Sequence, residues 1–452
     1  MKYVNPLLDL SGLPRFEEIE AHHVEPALDE VLATNREQIS VLESHADSAD
    51  WTSFARPLED LDERLQRVWS PVSHLNAVVD SDALRQAYEA CLAKVSAYET
   101  EMGQNQALFK GFQRLQETGE GAGTARRRVI ANALRDFRLS GVELDESSRA
   151  KFAVLAEELA LLENRFEQNV LDATDDWHLD VVDESDLAGV PISVCEMAAA
   201  TAREAGQGGW RFTLKAPSYV PFMKFAKNRS LRERMYHAYV TRASEMGPGE
   251  GRWDNSEVMV NILRLRRQMA SLLGYDNFAE YAMETRMATS VAEVDQFLSD
   301  LVARARGHAE DELQALVIFA EETDDVCDLQ AWDLAFYAER LREVHFALSQ
   351  ETLRPYFPLP RVLKGLFEVV HRLFSIRVEP VASPQLWHES VTFYDILDVT
   401  GAQRGSFYLD LFARANKRSG AWMADAIDRR RLADGSVQIP VAFLVCNFTP
   451  PV

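Results

Sequence analysis

The chain has 452 residues and a formal net charge of −23 at neutral pH, from 48 basic and 71 acidic side chains. A surface of this sign repels nucleic acid and anionic lipid, so we expect neither a nucleic-acid partner nor a membrane partner. Hydrophobic residues make up 47% and charged residues 26% of the sequence. These values are typical of a soluble globular protein, and the length allows two or three domains with a large core.

The cysteine pattern and the N-terminal residues indicate where the protein works. The four cysteines are far apart in sequence, without Cys-x-x-Cys or zinc-knuckle spacing: Cys91, Cys195, Cys327 and Cys446. Buried, reduced thiols are the expectation for such spacing. The N-terminal segment has no apolar core of a signal peptide, and no apolar run is long enough to span a membrane. We therefore expect a cytoplasmic protein.

Helical periodicity dominates the chain from about residue 23 onward. It is strongest over residues 147–172, where apolar residues recur every three or four positions, and Ser147 or Ser148 is predicted to cap this helix. Residues 177–181 and 211–215 alternate instead, which predicts a strand pair, with a glycine-rich turn at 206–209.

Helical patterns return after this strand pair, and short strands follow them. The predicted helical regions are 219–286, 290–323, 329–348 and 359–374, and the predicted strands lie near Val378 and at 391–396, 407–412 and 437–446. The fold class is therefore mainly α, with one small late β-sheet. We predict three parts: an N-terminal helical domain (1–145), a connector made of the long helix and the strand pair (146–220), and a further domain (221–452).

The last 48 residues, 405–452, are predicted to form two strands and the loop between them. Val441 to Cys446 is an unbroken apolar run, which is typical of a strand covered on both faces. A buried strand needs partners, and few residues follow it. We expect the polypeptide to end inside a structural unit and to leave an apolar surface exposed around residues 437–446.

Short phrases along the chain occur in the order found in one known family. They are Asn5-Pro6-Leu7-Leu8, Leu272-Leu273-Gly274-Tyr275, Leu353-Arg354-Pro355-Tyr356-Phe357-Pro358, Trp387-His388 and Asn447-Phe448-Thr449-Pro450-Pro451. Together they resemble the M3 family of zinc oligopeptidases, in its bacterial oligopeptidase A branch. The resemblance implies a two-lobed, multi-helical peptidase fold with a deep channel that admits short peptides. Residues 221–452 would then be an incomplete, N-terminal part of the catalytic domain.

The resemblance also implies a mechanism that this sequence cannot complete by itself. In the family, a helix with His-Glu-x-x-His follows the phrase at 447–451 and supplies two zinc ligands and the general base for a zinc-activated water. The ten histidines of this chain include no His-x-x-x-His pair. We therefore expect no zinc bound to this chain, no catalytic residue in it, and no peptide hydrolysis by it alone.

Other groupings of chemically active residues favour ordinary structural roles. The adjacent His22 and His23 diverge on any regular backbone, and Glu233 and His237 are spaced as a surface pair on a helix. His388 is followed by a glutamate but by no second histidine at ligand spacing. The sequence has no Gly-x-Ser-x-Gly elbow and no phosphate-binding glycine loop.

Peptide binding is the function that the residues present could retain. Zinc peptidases commonly hold their substrate as an added strand at a sheet edge, where main-chain hydrogen bonds give affinity for many sequences. The candidate substrate-binding residues are Ser419, Gly420, Ala421, Trp422 and Arg414. Small side chains allow a second backbone to approach, and Lys417 and Arg418 could attract acidic chain ends. The alternative is that Gly420 only supplies a turn.

Two functions of different classes follow from these observations. The first is a zinc-dependent metalloendopeptidase that acts on short peptides. In this case we expect the present chain to be inactive by itself. The alternative is a non-catalytic peptide-binding or scaffold protein derived from the enzyme. A truncated product without function, or one half of an enzyme whose C-terminal portion is a separate chain, also fits the sequence. The expected partners are short peptides and that missing C-terminal portion.

Overall fold

The computed structural model describes residues 5–119, 124–382 and 385–451. Helices predominate, as the periodicity predicted, and the mainly α fold class is confirmed. The α-helices are α1 (Ala21–Ser44), α2 (Arg56–Val78), α3 (Asp82–Gly103), α4 (Gln106–Glu117), α5 (Thr124–Leu139), α6 (Glu146–Asp176), α7 (Ile192–Glu204), α8 (Ala216–Phe225), α9 (Arg229–Val240), α10 (Ser256–Leu272), α11 (Phe278–Met283), α12 (Val291–Asp324), α13 (Ala331–Phe346), α14 (Gln350–Leu353) and α15 (Leu359–Phe374).

The strands occupy a short pair in the middle of the chain and the last quarter of it. They are β1 (His178–Val181), β2 (Trp210–Thr213), β3 (Arg377–Val381), β4 (Thr392–Leu397), β5 (Gln403–Phe412), β6 (Trp422–Ile427), β7 (Arg430–Arg431), β8 (Val437–Gln438) and β9 (Val441–Phe448). Among the helices of the described ranges, none combines the length and the apolar content that a membrane crossing requires.

The long helix α6 begins one residue earlier and ends four residues later than predicted. Its cap is Asp145, not Ser147 or Ser148, because the Asp145 carboxylate accepts the backbone N–H of Ser148 at 3.0 Å. A carboxylate at this position also interacts favourably with the positive end of the helix dipole. Both serines lie inside the first turn.

The predicted strand pair of the connector is confirmed, but the segment between its strands is more than a turn. Strands β1 and β2 are antiparallel, with Leu179 opposite Phe212, and both of these side chains are fully buried. Helix α7 lies between the strands in sequence and packs Val194, Met197 and Ala198 against them. A two-stranded ribbon is marginal without such a cover, so α7 provides the core that the pair needs.

The main sheet contains five strands in the order β3-β4-β5-β9-β6. Strand β5 is parallel to β9, and the other neighbours are antiparallel. The sequence predicted only a loop between the strands at 407–412 and 437–446 and missed β6, which begins at Trp422 and pairs with β9. Strand β6 is an edge strand with a neighbour on one side only, and its mixed polarity is compatible with that position.

Strand β9 is covered on one face only, so the prediction of two covered faces was wrong. Val441, Phe443 and Val445 point to one side and are buried, whereas Leu444 and Phe448 are 37% and 52% exposed. Successive side chains of a strand point to opposite faces, so this alternation gives one buried and one open face. The open face agrees with the expected apolar exposure around residues 437–446.

The buried face of the sheet shares one core with the N-terminal helices. At its centre the ring of His74, on α2, stacks on the ring of Phe443, with centroids 3.7 Å apart. Trp387 contacts both of these rings edge-on, and Phe16 contacts the ring of Phe443 edge-on. The predicted N-terminal domain and the late sheet are therefore joined by aromatic packing. Aromatic pairs of this kind add stability beyond that expected from the apolar area they bury.

The buried imidazole of His74 should make the stability of the protein depend on pH. Its side chain is buried, both ring nitrogens have no hydrogen-bond partner among the described residues, and burial lowers its pKa to about 3. The pKa of the unfolded chain is higher, about 6.5, so protons bind the unfolded state preferentially and stability is lost as pH falls below that value. We expect this histidine to cost about 2 kcal/mol of stability between pH 7.5 and pH 5.

Urea unfolding of the protein and of His74→Phe at both pH values measures this contribution. The variant keeps the aromatic stack and removes the titrating group. Between pH 7.5 and pH 5 its free energy of unfolding should therefore fall by about 2 kcal/mol less than that of the parent protein. Equal losses in both proteins would contradict the assignment.

Candidate functional site

Four of the candidate residues lie in the segment 413–421, which connects β5 to β6, and the fifth, Trp422, is the first residue of β6. A charged cluster at the end of β5 holds this segment in place. Its centre is Asp410, a fully buried carboxylate in the apolar second half of β5. A buried charge requires compensation by opposite charge and hydrogen bonds, and the residues that follow in the chain supply both.

Asp410 has two cationic partners and one neutral donor. Arg414 donates to both carboxylate oxygens at 2.7 and 2.8 Å, Lys417 Nζ donates at 2.7 Å, and Trp387 Nε1 donates at 3.0 Å. Burial by itself raises the pKa of a carboxyl group. Here the hydrogen bonds from Arg414 and Lys417 outweigh burial, and the pKa of Asp410 is lowered to about 2.

Lys417 also joins two strands of the sheet. Its ammonium group is fully buried and donates to the carbonyls of Phe412 in β5 (2.8 Å) and Cys446 in β9 (2.7 Å). The suggestion that Lys417 attracts acidic chain ends is therefore wrong, because its charge is enclosed and paired. Burial lowers the pKa of this lysine, and the carboxylate of Asp410 opposes that effect.

The same segment is fastened to the N-terminal helices through backbone groups. Arg414 donates to the carbonyl of Val78 at 2.9 Å, and the Arg418 N–H donates to the carbonyl of Ala77 at 2.8 Å. The Asp80 N–H donates in turn to the carbonyl of Asn416 at 3.1 Å. Asn416 has a φ of +56°, a conformation in which asparagine is over-represented. The segment is thus a fixed connection between the sheet and the end of α2.

Carboxylates of α6 complete this attachment. Asp175 accepts the backbone N–H of Asn416 at 3.2 Å, and Glu167 accepts the guanidinium of Arg418 at 2.9 Å. Arg418, although half-exposed, is therefore already paired. The long helix of the connector contacts the segment directly, so its position depends on all three predicted parts of the chain.

The structure places the candidate residues in two settings. Ser419, Gly420 and Ala421 are exposed and adjacent, and the half-buried Trp422 begins β6 opposite Val445. Arg414 is separated from them in the Asp410 cluster, with its side chain 15% exposed. The first four form a strip at the edge of the sheet, and Arg414 forms part of the support of that strip.

Asn447 is a residue of this site that the sequence did not reveal. Its amide donates to the carbonyls of Arg418 (3.0 Å) and Gly420 (2.5 Å), which fixes the strip against β9. Asp410 was missed as well. A signal for it existed, because a lone acidic residue inside the apolar pattern 407–412 requires a buried partner.

The outer edge of β6 is open at one end and covered at the other. The carbonyl of Asp425 accepts the hydroxyl of Ser70 from α2 at 2.6 Å, so the backbone groups of Asp425 point away from β9. Backbone direction alternates along a strand, so those of Met423 and Ala421 point the same way. Because α2 covers the far end, the edge is accessible from Ser419 to Met423, where a second strand could pair.

The residues present do not fit a catalytic zinc site. Such a site takes three protein ligands, usually with His, Glu, Asp or Cys donors. Within 5–119, 124–382 and 385–451, no three of these side chains come together in a group that could hold a metal. His23, which the sequence analysis considered together with His22, accepts the Glu20 N–H at 3.0 Å at the start of α1. His388 Nδ1 lies 2.8 Å from the hydroxyl of Ser390.

The cysteines offer no activated nucleophile in the described residues. Cys446 is half-buried in β9, and burial raises the pKa of its thiol. Cys327 is exposed, so the expectation of buried thiols was wrong for this residue. It lies after the end of α12, where the chain turns toward α13.

Removal of the charge on Asp410 should destabilise the protein. In Asp410→Asn two cations remain in the interior without their counter-charge, and breaking a buried pair in this way costs about 3–5 kcal/mol. Asp425→Asn, on the exposed side of β6, is the control and should change stability by less than about 0.5 kcal/mol. Urea unfolding at neutral pH measures both. A loss of under about 1 kcal/mol in Asp410→Asn would show that the cluster is dispensable.

The chain is similar to known peptidases along almost all of its length. Residues 222–452 match Peptidase family M3, and residues 28–149 match the Neurolysin/Thimet oligopeptidase, N-terminal domain. The chain is 43% identical over 454 residues to oligopeptidase A of Haemophilus influenzae and 44% identical over 450 residues to oligopeptidase A of Escherichia coli. It is 32% identical over 456 residues to the dipeptidyl carboxypeptidase of Salmonella typhimurium.

These alignments include almost all of this chain but not all of the relatives. They cover 100%, 99% and 99% of the chain in the order given, and 66% of each relative. The chain therefore spans about two thirds of the length of the curated relatives that it matches. Since the M3 match alone includes just over half of the residues, and the sequence identity extends from end to end, the chain belongs to Peptidase family M3.

Proposed function

We propose that this protein is the peptide-binding portion of a zinc-dependent oligopeptidase that hydrolyses short peptides. The observation that supports this most directly is the M3 match over residues 222–452, together with relatives named oligopeptidase A. In this proposal residues 1–145 form one helical lobe, 146–220 connect the lobes, and 221–452 provide part of the catalytic domain. The protein works in the cytoplasm, where its four free cysteines stay reduced.

The peptide binds as an added strand along the outer edge of β6. The groups that pair with it are the backbone N–H and C=O groups of Ala421 and Met423, which point away from β9. Ser419 and Gly420 extend the same edge, and their small side chains leave room for a second backbone. Main-chain pairing does not depend on side-chain identity, which suits a protein that binds peptides of many sequences.

Arg414 and Trp422 contribute to binding by fixing this edge. Arg414 holds the end of β5 through Asp410, and Trp422 anchors the start of β6 beneath the guanidinium of Arg418, 5.7 Å from its ring. Neither side chain needs to contact the peptide for this role. Trp422 is half-buried.

In this proposal none of the zinc ligands and no general base lies within these 452 residues. The sequence has no His-x-x-x-His pair, and the described residues offer no three-ligand group. The second candidate function, a non-catalytic peptide-binding protein, is favoured by the same two observations. An intact sheet edge without a metal site would still bind peptides. The oligopeptidase requires a zinc-binding portion in addition to these residues, whereas the non-catalytic peptide-binding protein does not.

A chimera tests the first candidate. The part of H. influenzae oligopeptidase A that this chain does not match is joined in frame after residue 452. We expect the chimera to hydrolyse a quenched fluorogenic peptide, to lose this activity to a chelator and to regain it with zinc. The chain alone should not hydrolyse the peptide. Zinc-dependent turnover by the chain alone would contradict its predicted inactivity, and a folded but inactive chimera would contradict the proposed enzyme.

The choice of peptide separates two activities found among the relatives. A peptide with an amidated C-terminus has no free terminal carboxylate, which a dipeptidyl carboxypeptidase requires and an endopeptidase does not. Cleavage of the amidated peptide at an internal bond is the expected result. Mass spectrometry of the products identifies the bond.

Proline at residue 423 tests the binding edge. Met423→Pro removes an outward-facing N–H and leaves pairing with β9 intact, because proline is tolerated where the N–H faces away from the sheet. Loss of one such hydrogen bond should raise the Kd of a fluorescent peptide about two- to tenfold.

Met423→Ala is the matched control, since it also removes the methionine side chain but keeps the N–H. Its Kd should stay within about twofold of the parent protein. Fluorescence polarisation on the chain itself gives both values without any need for catalysis. Equal affinities in Met423→Pro and Met423→Ala would exclude this edge as the peptide site.

A further inference from the structure

The long helix α6 ends without the backbone hydrogen bond that closes α12 and α15. The residue after each of those two helices donates its N–H to the last turn. Trp177, which follows α6, makes no such bond within the described part of the chain. The carbonyls of Thr174, Asp175 and Asp176 also accept no hydrogen bond there. They form the negative end of a helix of 31 residues, which attracts a cation.

A small cavity lies at this end of α6. It has a volume of about 140 Å³, and Asp176, Trp177 and Trp253 contribute to its wall. A cavity of this size holds a molecule of about the size of benzene. Only a small molecule, or one end of a larger molecule, therefore fits inside it.

Much of the cavity wall is the loop 241–255 between α9 and α10, which is fastened to α6 at its base. The buried Asn255 donates its amide to the carbonyl of Phe166 at 3.1 Å, and its side-chain oxygen accepts from Asn169 at 2.8 Å. The Asn255 N–H also closes the loop on the carbonyl of Ala243 at 3.1 Å. The cavity therefore belongs to a loop whose position on α6 is fixed.

The groups around the cavity favour an organic cation. Asp176 is exposed and pairs with no cation among the described residues. An indole ring is the best aromatic partner for an ammonium group. That of Trp253 already interacts with one cation, since the guanidinium of Arg252 lies 4.3 Å from the ring centre. His178 also lines the cavity, but its Nε2 lies 3.4 Å from the carboxylate of Asp180 and is thus engaged elsewhere.

Two other kinds of ligand fit this cavity less well. An anion would face both a carboxylate and the negative end of α6, in a protein with a formal net charge of −23. A metal ion is usually held by several His, Cys, Asp or Glu donors. No group of three such side chains occurs in residues 5–119, 124–382 and 385–451. An ammonium group, in contrast, interacts favourably with the carboxylate, the helix end and the indole rings.

We propose that this cavity binds the primary ammonium group of a small amine or of a peptide N-terminus. The Asp176 carboxylate pairs with the charge of the ligand. The free carbonyls at the end of α6 accept its remaining N–H groups, and Trp177 and Trp253 enclose it. The site shares no residue with the strip at 419–422, so this inference does not rest on the proposed function.

Titration with alaninamide, which has an ammonium group and no carboxylate, tests the site. The chain contains eight tryptophans, so ¹⁵N-labelled tryptophan gives eight indole signals, and Trp177→Phe and Trp253→Phe identify two of them. At pH 7, where the amino group is mostly protonated, we expect these two signals to shift together with a Kd of about 1–10 mM. N-acetylalaninamide lacks the charge and should shift neither signal at the same concentrations.

Two exposed aspartates on helices provide a matched pair of variants. Asp176→Asn removes the charge but keeps the size of the side chain, and should weaken alaninamide binding about tenfold. Asp295→Asn, on α12, should change the Kd less than about twofold. A carboxylate is unfavourable at the C-terminal end of a helix, so Asp176→Asn should not lower the Tm. A loss of binding is then separate from a loss of folding.

Butylamine distinguishes the two sources of the ammonium group. Equal affinity for butylamine and alaninamide would assign the site to primary amines in general, whereas a preference of at least about tenfold for alaninamide would assign it to N-termini. Equal shifts with potassium chloride would assign it to an inorganic cation and overturn the proposal. Unchanged Trp177 and Trp253 signals at about 50 mM alaninamide would leave the cavity to water and overturn it too. So would equal affinities in Asp176→Asn and Asp295→Asn.

Discussion

The carboxylate of Asp410 is the point at which the sheet, the segment that follows it and the N-terminal helices are held together. A fully buried negative charge is unfavourable by itself, so the chain must return two cations to it within seven residues. That requirement fixes the path of residues 411–418, places the ammonium of Lys417 between β5 and β9, and directs Arg414 to the end of α2. The strip at 419–422 follows directly on residues that this ionic cluster holds in place.

The two faces of the sheet explain why the chain has both a stable core and an open surface. One face is closed by aromatic rings that belong to distant parts of the sequence, with His74 and Phe443 stacked at the centre. The other face is only partly covered, by α15, which has a second apolar face exposed to solvent. Removal of apolar area from water stabilises the buried face of the sheet. The apolar area left in water makes the partly covered face prone to association.

This asymmetry also separates two tasks that a peptidase must combine. Backbone groups at a sheet edge can hold an extended peptide, and in the proposed function the outer edge of β6 has this role. A metal centre requires three donor side chains at fixed distances, and the described residues contain no such group.

The sequence by itself determined the mainly α fold, the long helix α6, the strand pair β1–β2, the family, and the absence of a His-x-x-x-His pair, because periodicity and short motifs are local properties. It did not reveal α7 or β6, the cap at Asp145, or the open face of β9. Nor did it assign Arg414 and Lys417 to Asp410. Those features depend on which segments meet in three dimensions: an edge strand, a buried charge and an uncovered face are defined by their neighbours, and tertiary packing alone decides those neighbours.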